Sequence, residues 1–128
     1  MKAQLATAGI LGALAVVMGA FGAHGLKPLI SPESLETFKT AVNYHFIHVF
    51  GMIAAGILYK FNPHKLFRFA SQAFLMGIFL FSGSLYLLST REATGLQNIS
   101  FLGPITPLGG LFFIVGWICL VMGSSKSK

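Results

Sequence analysis

Four long apolar stretches occupy most of this 128-residue chain and constrain its fold more than any other feature. They lie at about 4–23, 42–59, 66–89 and 104–123. Each is close to the roughly 20 residues that a helix needs to cross the hydrocarbon core of a membrane. The composition agrees, because 55% of the residues are hydrophobic and only 9% are charged, whereas a soluble domain needs a more polar surface. We therefore expect an all-α integral membrane protein, a four-helix bundle that forms a single domain over residues 1–128.

Small residues recur at a spacing of seven in the apolar stretches, and this repeat indicates how the helices pack. The repeats are Gly12 and Gly19; Ala41 and Ala55; Ala70, Gly77 and Ser84; and Gly109, Gly116 and Gly123. Small side chains at such positions let transmembrane helices approach closely. His48 takes the place between Ala41 and Ala55, so we expect its ring to point into the bundle.

The basic residues predict the orientation of the chain in the membrane. There are nine Lys and Arg against three acids. With four spans, Lys2, Lys60, Lys65, Arg68, Lys126 and Lys128 fall on the side of the two termini, and Lys27, Lys39 and Arg91 fall on the other side. This excess favours cytoplasmic termini. Because membrane orientation accounts for the charge, we expect no nucleic acid as a partner.

Proline and capping signals divide the chain between the first and third stretches. Residues 31–33 read Ser-Pro-Glu, which predicts a helix that starts at Pro32. Residues 32–41 place apolar side chains on one face, so we expect a short interfacial amphipathic stretch before the second spanning helix. Asn-Pro at 62–63 predicts the start of the third helix, and residues 90–103 are expected to form the loop before the fourth.

Polar residues gather toward one leaflet, which is the outer one in this orientation. They are His24 at the end of the first stretch; Asn43, Tyr44, His45 and His48 in the second; Ser82, Ser84 and Tyr86 in the third; and Thr106 in the fourth. His48 lies six residues beyond Val42, roughly 9 Å into the membrane at 1.5 Å per residue. Because ionisable residues at that depth are candidates for function, we expect these nine residues to form a ligand-binding site.

The histidines allow two interpretations. His45 and His48 are three residues apart on nearly one face, Met52 follows four residues later, and His24 would add a third imidazole. Imidazole and thioether groups bind copper or haem iron. In the structural alternative, His48 donates a hydrogen bond to Ser, Thr or a backbone carbonyl, and His24 caps the first helix. The sequence requires no cofactor, and metal binding stays open with these four residues as candidates.

No pattern for hydrolysis or phosphoryl transfer is visible in the sequence. The chain shows no nucleophile with its base, no phosphate-binding loop and no paired carboxylates. Its one cysteine, Cys119, lies in the leaflet away from the histidines. We therefore favour a non-enzymatic protein.

Short motifs follow one another along nearly the whole chain. They read GAFGAHGL at 19–26, TAVNYHFIH at 40–48, FSGSLY at 81–86 and ITPLGG at 105–110, the last followed by Gly116 and Trp117. In this order they resemble the YgdD/YwdK-like family of small membrane proteins, the domain of unknown function 423. The resemblance implies a four-helix membrane protein of bacteria, which indicates a multi-pass protein of the plasma (inner) membrane. It implies no biochemical role.

Three functions are open at this stage. The first is a ligand-, lipid- or proton-binding protein that acts in membrane homeostasis or transport through the site around His48. The second is a redox or metal-handling protein that holds metal or haem, and the third is a structural accessory subunit. Membrane lipids are expected partners. Since four helices enclose little volume, a complete pathway would require a homo-oligomer.

Overall fold

The structure is a computed structural model that describes residues 1–126, and its regular elements in this range are all helices. The helices are α1 (Lys2–Ala23), α2 (Pro32–Phe61), α3 (Lys65–Gly77), α4 (Gly83–Thr94) and α5 (Ile105–Ser125), with a π-helical segment at Ile78–Ser82 and a short 3-10 turn at Ser100–Leu102. The segment from Lys65 to Thr94 is one long helix, here called the third span. It joins α1, α2 and α5 as the four helices long and apolar enough to cross a membrane, which confirms the expected all-α membrane fold. Lys128, counted above on the side of the termini, lies outside the described residues.

The start of α2 confirms the capping signal. Ser31 is the N-cap, its hydroxyl accepts a hydrogen bond from the Ser34 amide at 3.1 Å, and Pro32 occupies the first helical position. From there α2 runs without a break to Phe61, so residues 32–41 are the first turns of the spanning helix itself. The apolar face of these turns is buried, with Phe38 at its centre.

The prediction that Asn62 and Pro63 start the third helix was wrong. Asn62 ends α2 as its C-cap, and α3 begins only at Lys65. His64 is the N-cap of α3, because its Nδ1 accepts a hydrogen bond from the Leu66 amide at 3.2 Å. An imidazole nitrogen can thus replace the side-chain oxygen that the usual capping residues supply.

The loop between the third and fourth spanning helices was also misplaced. The third span continues to Thr94 and ends at Gly95, whose φ of 71° is the left-handed conformation common at helix ends. Thr90 and Thr94 donate their hydroxyl groups to backbone carbonyls four residues earlier. The two hydroxyl groups are thus satisfied within the helix, which continues through residues whose types had suggested a loop.

A repeat of phenylalanines fits the repeat of glycines on α5. Phe67 of the third span faces Gly123, Phe74 faces Gly116, and Phe81 faces Gly109. A methyl group on any of these glycines would overlap the facing ring or, at Gly109, the backbone of Phe81. Because these glycines have no side chain, the phenylalanine rings pack directly on the backbone of α5, and the two helices lie close together.

The α1 helix packs in a similar way on α2. Gly12 and Gly19 lie against Val49 and Val42, with a Cβ at either glycine 3.5 Å from a valine methyl group. The α2 helix packs in turn on the third span, and the third span packs on α5. The α1 and α5 helices therefore lie at the edges of the arrangement, where most of their side chains are exposed.

Candidate functional site

His48 lies in the middle of α2 and is 4% exposed. Its Nδ1 is 2.6 Å from the backbone carbonyl oxygen of Tyr44, and the indole N–H of Trp117 donates to its Nε2 at 3.2 Å. A carbonyl only accepts and an indole N–H only donates, so the ring carries its proton on Nδ1 and is neutral. Both of its nitrogens are occupied by the protein.

Aromatic rings surround His48 on the side that faces α5. The imidazole stacks on Phe113 with ring centroids 3.4 Å apart and an angle of 5° between the planes. Tyr44 packs against Phe81 beside it, with ring centroids 4.5 Å apart and an angle of 32° between the planes. The side chains of α2, the third span and α5 thus form one aromatic cluster.

A groove opens beside this cluster, on the outer surface of the helices. It has a volume of about 390 Å³ and is here called the His48 groove. Its lining residues are Tyr44, His48, Phe81, Pro107, Gly110, Leu111, Phe113, Ile114 and Trp117. Leu111 and Ile114 at its edge are more than half exposed.

His45 belongs to different surroundings. Its ring is 1% exposed, and Nδ1 lies 2.9 Å from the hydroxyl oxygen of Tyr86 in α4. The other nitrogen, Nε2, is buried and has no hydrogen-bond partner among residues 1–126. Although His45 and His48 are only three residues apart, their side-chain partners differ: His45 pairs with Tyr86 of the third span, and His48 with Trp117 of α5.

The polar side chains of the third span join helices to one another. Ser82 is fully buried and donates its hydroxyl to the Ala41 carbonyl of α2 at 2.8 Å. Ser84 lies 2.6 Å from the Thr106 hydroxyl of α5 and donates to the carbonyl of Phe81 at 2.9 Å. Ser82, Ser84 and Thr106 therefore have partners within the protein.

Two of the predicted site residues are exposed and lie away from the His48 groove. His24 is the exposed C-cap of α1, and its amide donates to the Ala20 carbonyl. Asn43 is exposed and lines a smaller cavity of about 150 Å³ beside Lys39 and Gly22. Neither residue lines the His48 groove.

The four candidate metal ligands are not collected in one place. His24 is exposed, His48 has both nitrogens occupied, and Met52 lies in the main hydrophobic core. Among residues 1–126, no three His, Cys, Asp or Glu side chains lie close enough together to hold a metal ion. Metal binding by these four residues, one of which is a thioether, stays a prediction.

Trp117 and Phe113 belong to the site, although the sequence alone had not indicated either. The sequence contains one signal for Trp117, since an indole N–H needs a hydrogen-bond partner when it lies in an apolar environment. Phe113 carries no such signal, because its contact with His48 depends on how α5 aligns with α2.

Glu92 is a second residue whose role became visible only in the structure. Its carboxylate accepts hydrogen bonds from the Ser31 amide at 2.9 Å and from the Ser34 hydroxyl at 2.8 Å. A carboxylate at the first turn of α2 also interacts favourably with the helix dipole. Glu92 thus ties the end of α4 to the start of α2.

Comparison with known proteins identifies the family. The family model described as a protein of unknown function, DUF423, matches residues 18–110. The chain belongs to the DUF423 family. It is 41% identical over 127 residues to the UPF0382 membrane protein YwdK of Bacillus subtilis, with 98% of each chain covered. This finding confirms the resemblance to the YgdD/YwdK-like family.

Other DUF423 relatives are similar over most of their length. A UPF0382 membrane protein of Staphylococcus haemolyticus is 40% identical over 121 residues, with 91% of this chain and 93% of the relative covered. One from Haemophilus influenzae is 37% identical over 117 residues, with 91% and 89% covered. No solved structure matches the chain. The relatives' names describe membrane proteins and give no biochemical role.

Proposed function

We propose that this DUF423 protein is a non-enzymatic protein of the bacterial plasma membrane that binds a lipid acyl chain in the His48 groove and acts in membrane homeostasis. The observation that carries the proposal is the lining of the groove. Aromatic and aliphatic side chains form it, and the buried imidazole at its inner side already has both nitrogens hydrogen-bonded.

The chemistry of this lining selects an apolar occupant. Because the indole N–H of Trp117 is hydrogen-bonded to Nε2 of His48, these two side chains present ring faces to the groove rather than free donors and acceptors. Tyr44 lies at its edge, 41% exposed, and its hydroxyl makes no hydrogen bond to the described residues. That hydroxyl is free to donate to an ester oxygen of the lipid. The groove lies on the surface that would face the hydrocarbon core, where acyl chains are the main molecules present.

The distribution of charge supports cytoplasmic termini as part of the proposal. Within residues 1–126, one end of the helices carries five basic side chains and no acid. They are Lys2, Lys60, Lys65, Arg68 and Lys126. The opposite end carries three basic side chains together with all three acids. The end richer in Lys and Arg is placed on the cytoplasmic side. The homo-oligomer stays a prediction, since the groove is formed within a single chain.

The test uses the fluorescence of Trp117, which is the only tryptophan of the chain and lines the groove. The protein is reconstituted into phosphatidylcholine vesicles that contain increasing fractions of a lipid brominated along its acyl chain. We expect quenching to rise in proportion to the fraction of brominated lipid, as for one site that exchanges with the bulk, because one acyl chain lies beside the indole.

Two variants separate the groove from the surrounding lipid. Gly110→Leu places a side chain in the groove and should reduce the maximal quenching of Trp117. Val121→Leu is the control, since Val121 is exposed on α5 outside the groove. Equal maximal quenching in the two variants would contradict the proposal. The aromatic cluster would then serve only to join α2 to α5.

A further inference from the structure

A second groove lies at the opposite end of the helices, where α1 begins and α2 ends. It has a volume of about 470 Å³ and is here called the Lys2–Lys60 groove. Its lining includes Lys2, Leu5, Gly56, Ile57, Tyr59 and Lys60. The floor is apolar, because the side chain of Leu5 lies directly against Gly56 and Ile57 is half exposed. The groove thus combines an apolar channel with two amino groups.

No carboxylate neutralises the two lysines. Both are exposed, and neither forms an ion pair within residues 1–126. The three acids of the chain are Glu33, Glu36 and Glu92. All of them lie at the other end, and the 24 residues of helix from Glu36 to Lys60 correspond to roughly 36 Å. At that distance an acid is several Debye lengths from the lysines at physiological salt, so their charge is available to a ligand.

The combination matches the two parts of an anionic phospholipid. The apolar channel between α1 and α2 suits an acyl chain, while the amino groups lie at the level of the lipid headgroups because both residues are next to the ends of spanning helices. Tyr59 fits the same level, since tyrosine is enriched at the membrane interface. Lysines near a membrane surface favour anionic over zwitterionic headgroups.

We propose that the Lys2–Lys60 groove binds one anionic phospholipid, with its phosphate between the two amino groups and one acyl chain along Leu5 and Ile57. This site is separate from the His48 groove in position and in chemistry. It therefore extends beyond the proposed function and does not depend on it.

The experiment measures which lipid the purified protein retains. Protein in mild detergent is mixed with equal amounts of phosphatidylglycerol and phosphatidylcholine of the same chain length, and retained lipid is counted by native mass spectrometry. We expect the wild type to retain one phosphatidylglycerol in preference to phosphatidylcholine. Each lysine should contribute a factor of roughly five to that preference, so Lys2→Gln/Lys60→Gln should reduce it by roughly 25-fold.

Two further variants make the result specific. Lys2→Arg/Lys60→Arg retains both charges and should retain the preference. Lys27→Gln/Lys39→Gln removes the same number of charges from the opposite end and should also leave it unchanged. Equal retention of the two lipids by the wild type, or an equal loss of preference in the Lys27/Lys39 pair, would overturn the proposal.

A competition arm distinguishes a lipid from a soluble phosphate. Millimolar glycerol phosphate should not displace the retained phosphatidylglycerol, because it has no acyl chain for the channel. Displacement would show a phosphate site and overturn the lipid assignment. The quenching of Trp117 by brominated phosphatidylcholine should be the same in Lys2→Gln/Lys60→Gln as in the wild type, so failure at one groove is distinguishable from failure at the other.

Discussion

Trp117 of α5 donates its indole N–H to Nε2 of His48 in α2 and so determines which imidazole nitrogen carries the proton. The Tyr44 carbonyl accepts at Nδ1, one turn earlier on α2. Since α2 and α5 otherwise touch only slightly, this hydrogen bond and the stacking of His48 on Phe113 are major links between the two helices. A buried ionisable residue here acts as a neutral connector.

The tautomer of His48 is the first testable consequence. In ¹⁵N spectra of the imidazole at neutral pH, we expect a protonated Nδ1 and an unprotonated Nε2 that accepts a hydrogen bond. Trp117→Phe retains an aromatic ring but removes the donor, so the Nε2 resonance should shift. Stability in detergent should fall by about 0.6 kcal/mol, the usual value for such a bond in a membrane protein. An Nε2-protonated ring in the wild type would contradict this geometry.

The two neighbouring glycines at the start of α5 should respond very differently to alanine. A methyl group at Gly109 meets the backbone of Phe81 and Leu80, which cannot move aside easily, whereas at Gly110 the nearest atom is a ring carbon of Phe81 at 3.9 Å. We expect Gly109→Ala to destabilise the protein by about 1–3 kcal/mol through overpacking. Gly110→Ala, the matched control, should be close to neutral. Unfolding titrations in mixed detergent would measure both, and equal effects would refute the close contact.

A second matched pair concerns the fully buried serines of the third span. Ser82 donates to the Ala41 carbonyl, while the hydroxyl of Ser71 has no partner among the described residues. Ser82→Ala should therefore cost about 0.6 kcal/mol, and Ser71→Ala should be neutral or stabilising because it removes an unsatisfied buried group. The same unfolding titrations apply. Destabilisation by Ser71→Ala equal to that by Ser82→Ala would show that Ser71 has a partner in the membrane.

Glu92 should control the opening of the first turn of α2. Glu92→Ala removes the acceptor for the Ser31 amide and the Ser34 hydroxyl. Hydrogen exchange at the amides of Ser31, Glu33 and Ser34 should then become severalfold faster. Glu33→Ala is the control, since Glu33 is exposed in the same turn. If both variants exchange alike, Glu92 does not hold this turn.

The packing of small residues was predictable because it depends on local sterics. In an apolar helix, a repeat such as Gly109 and Gly116 indicates a close contact with a neighbouring helix, and the structure buries both glycines against the third span. Their partners were not predictable in the same way. The match of Phe74 with Gly116 depends on the alignment of two helices that are distant in sequence, and the pattern within one helix does not determine it.

The candidate site shows the same limit. The depth and burial expected for His48 follow from its place in the repeat, and the structure buries the ring. Its partner Trp117 is 69 residues away in the sequence, so the hydrogen bond depends on tertiary packing. The π-helical turn at Ile78–Ser82 was equally invisible, because the segment contains no Gly or Pro to mark it. It becomes apparent only from the backbone, where the Gly83 amide donates to the Ile78 carbonyl five residues earlier.

The rings of the third span that pack on the glycines of α5 allow the two helices to align only at widely spaced positions. Sliding one helix along the other by a small distance would move the rings of Phe67 and Phe74 off Gly123 and Gly116. The next alignment that seats them is a full repeat away, roughly 10.5 Å at 1.5 Å per residue. Piston-like motion of α5 is therefore blocked. Any widening of the His48 groove has to come from tilting of α5 or rotation of its side chains, with the depth of each residue in the bilayer preserved.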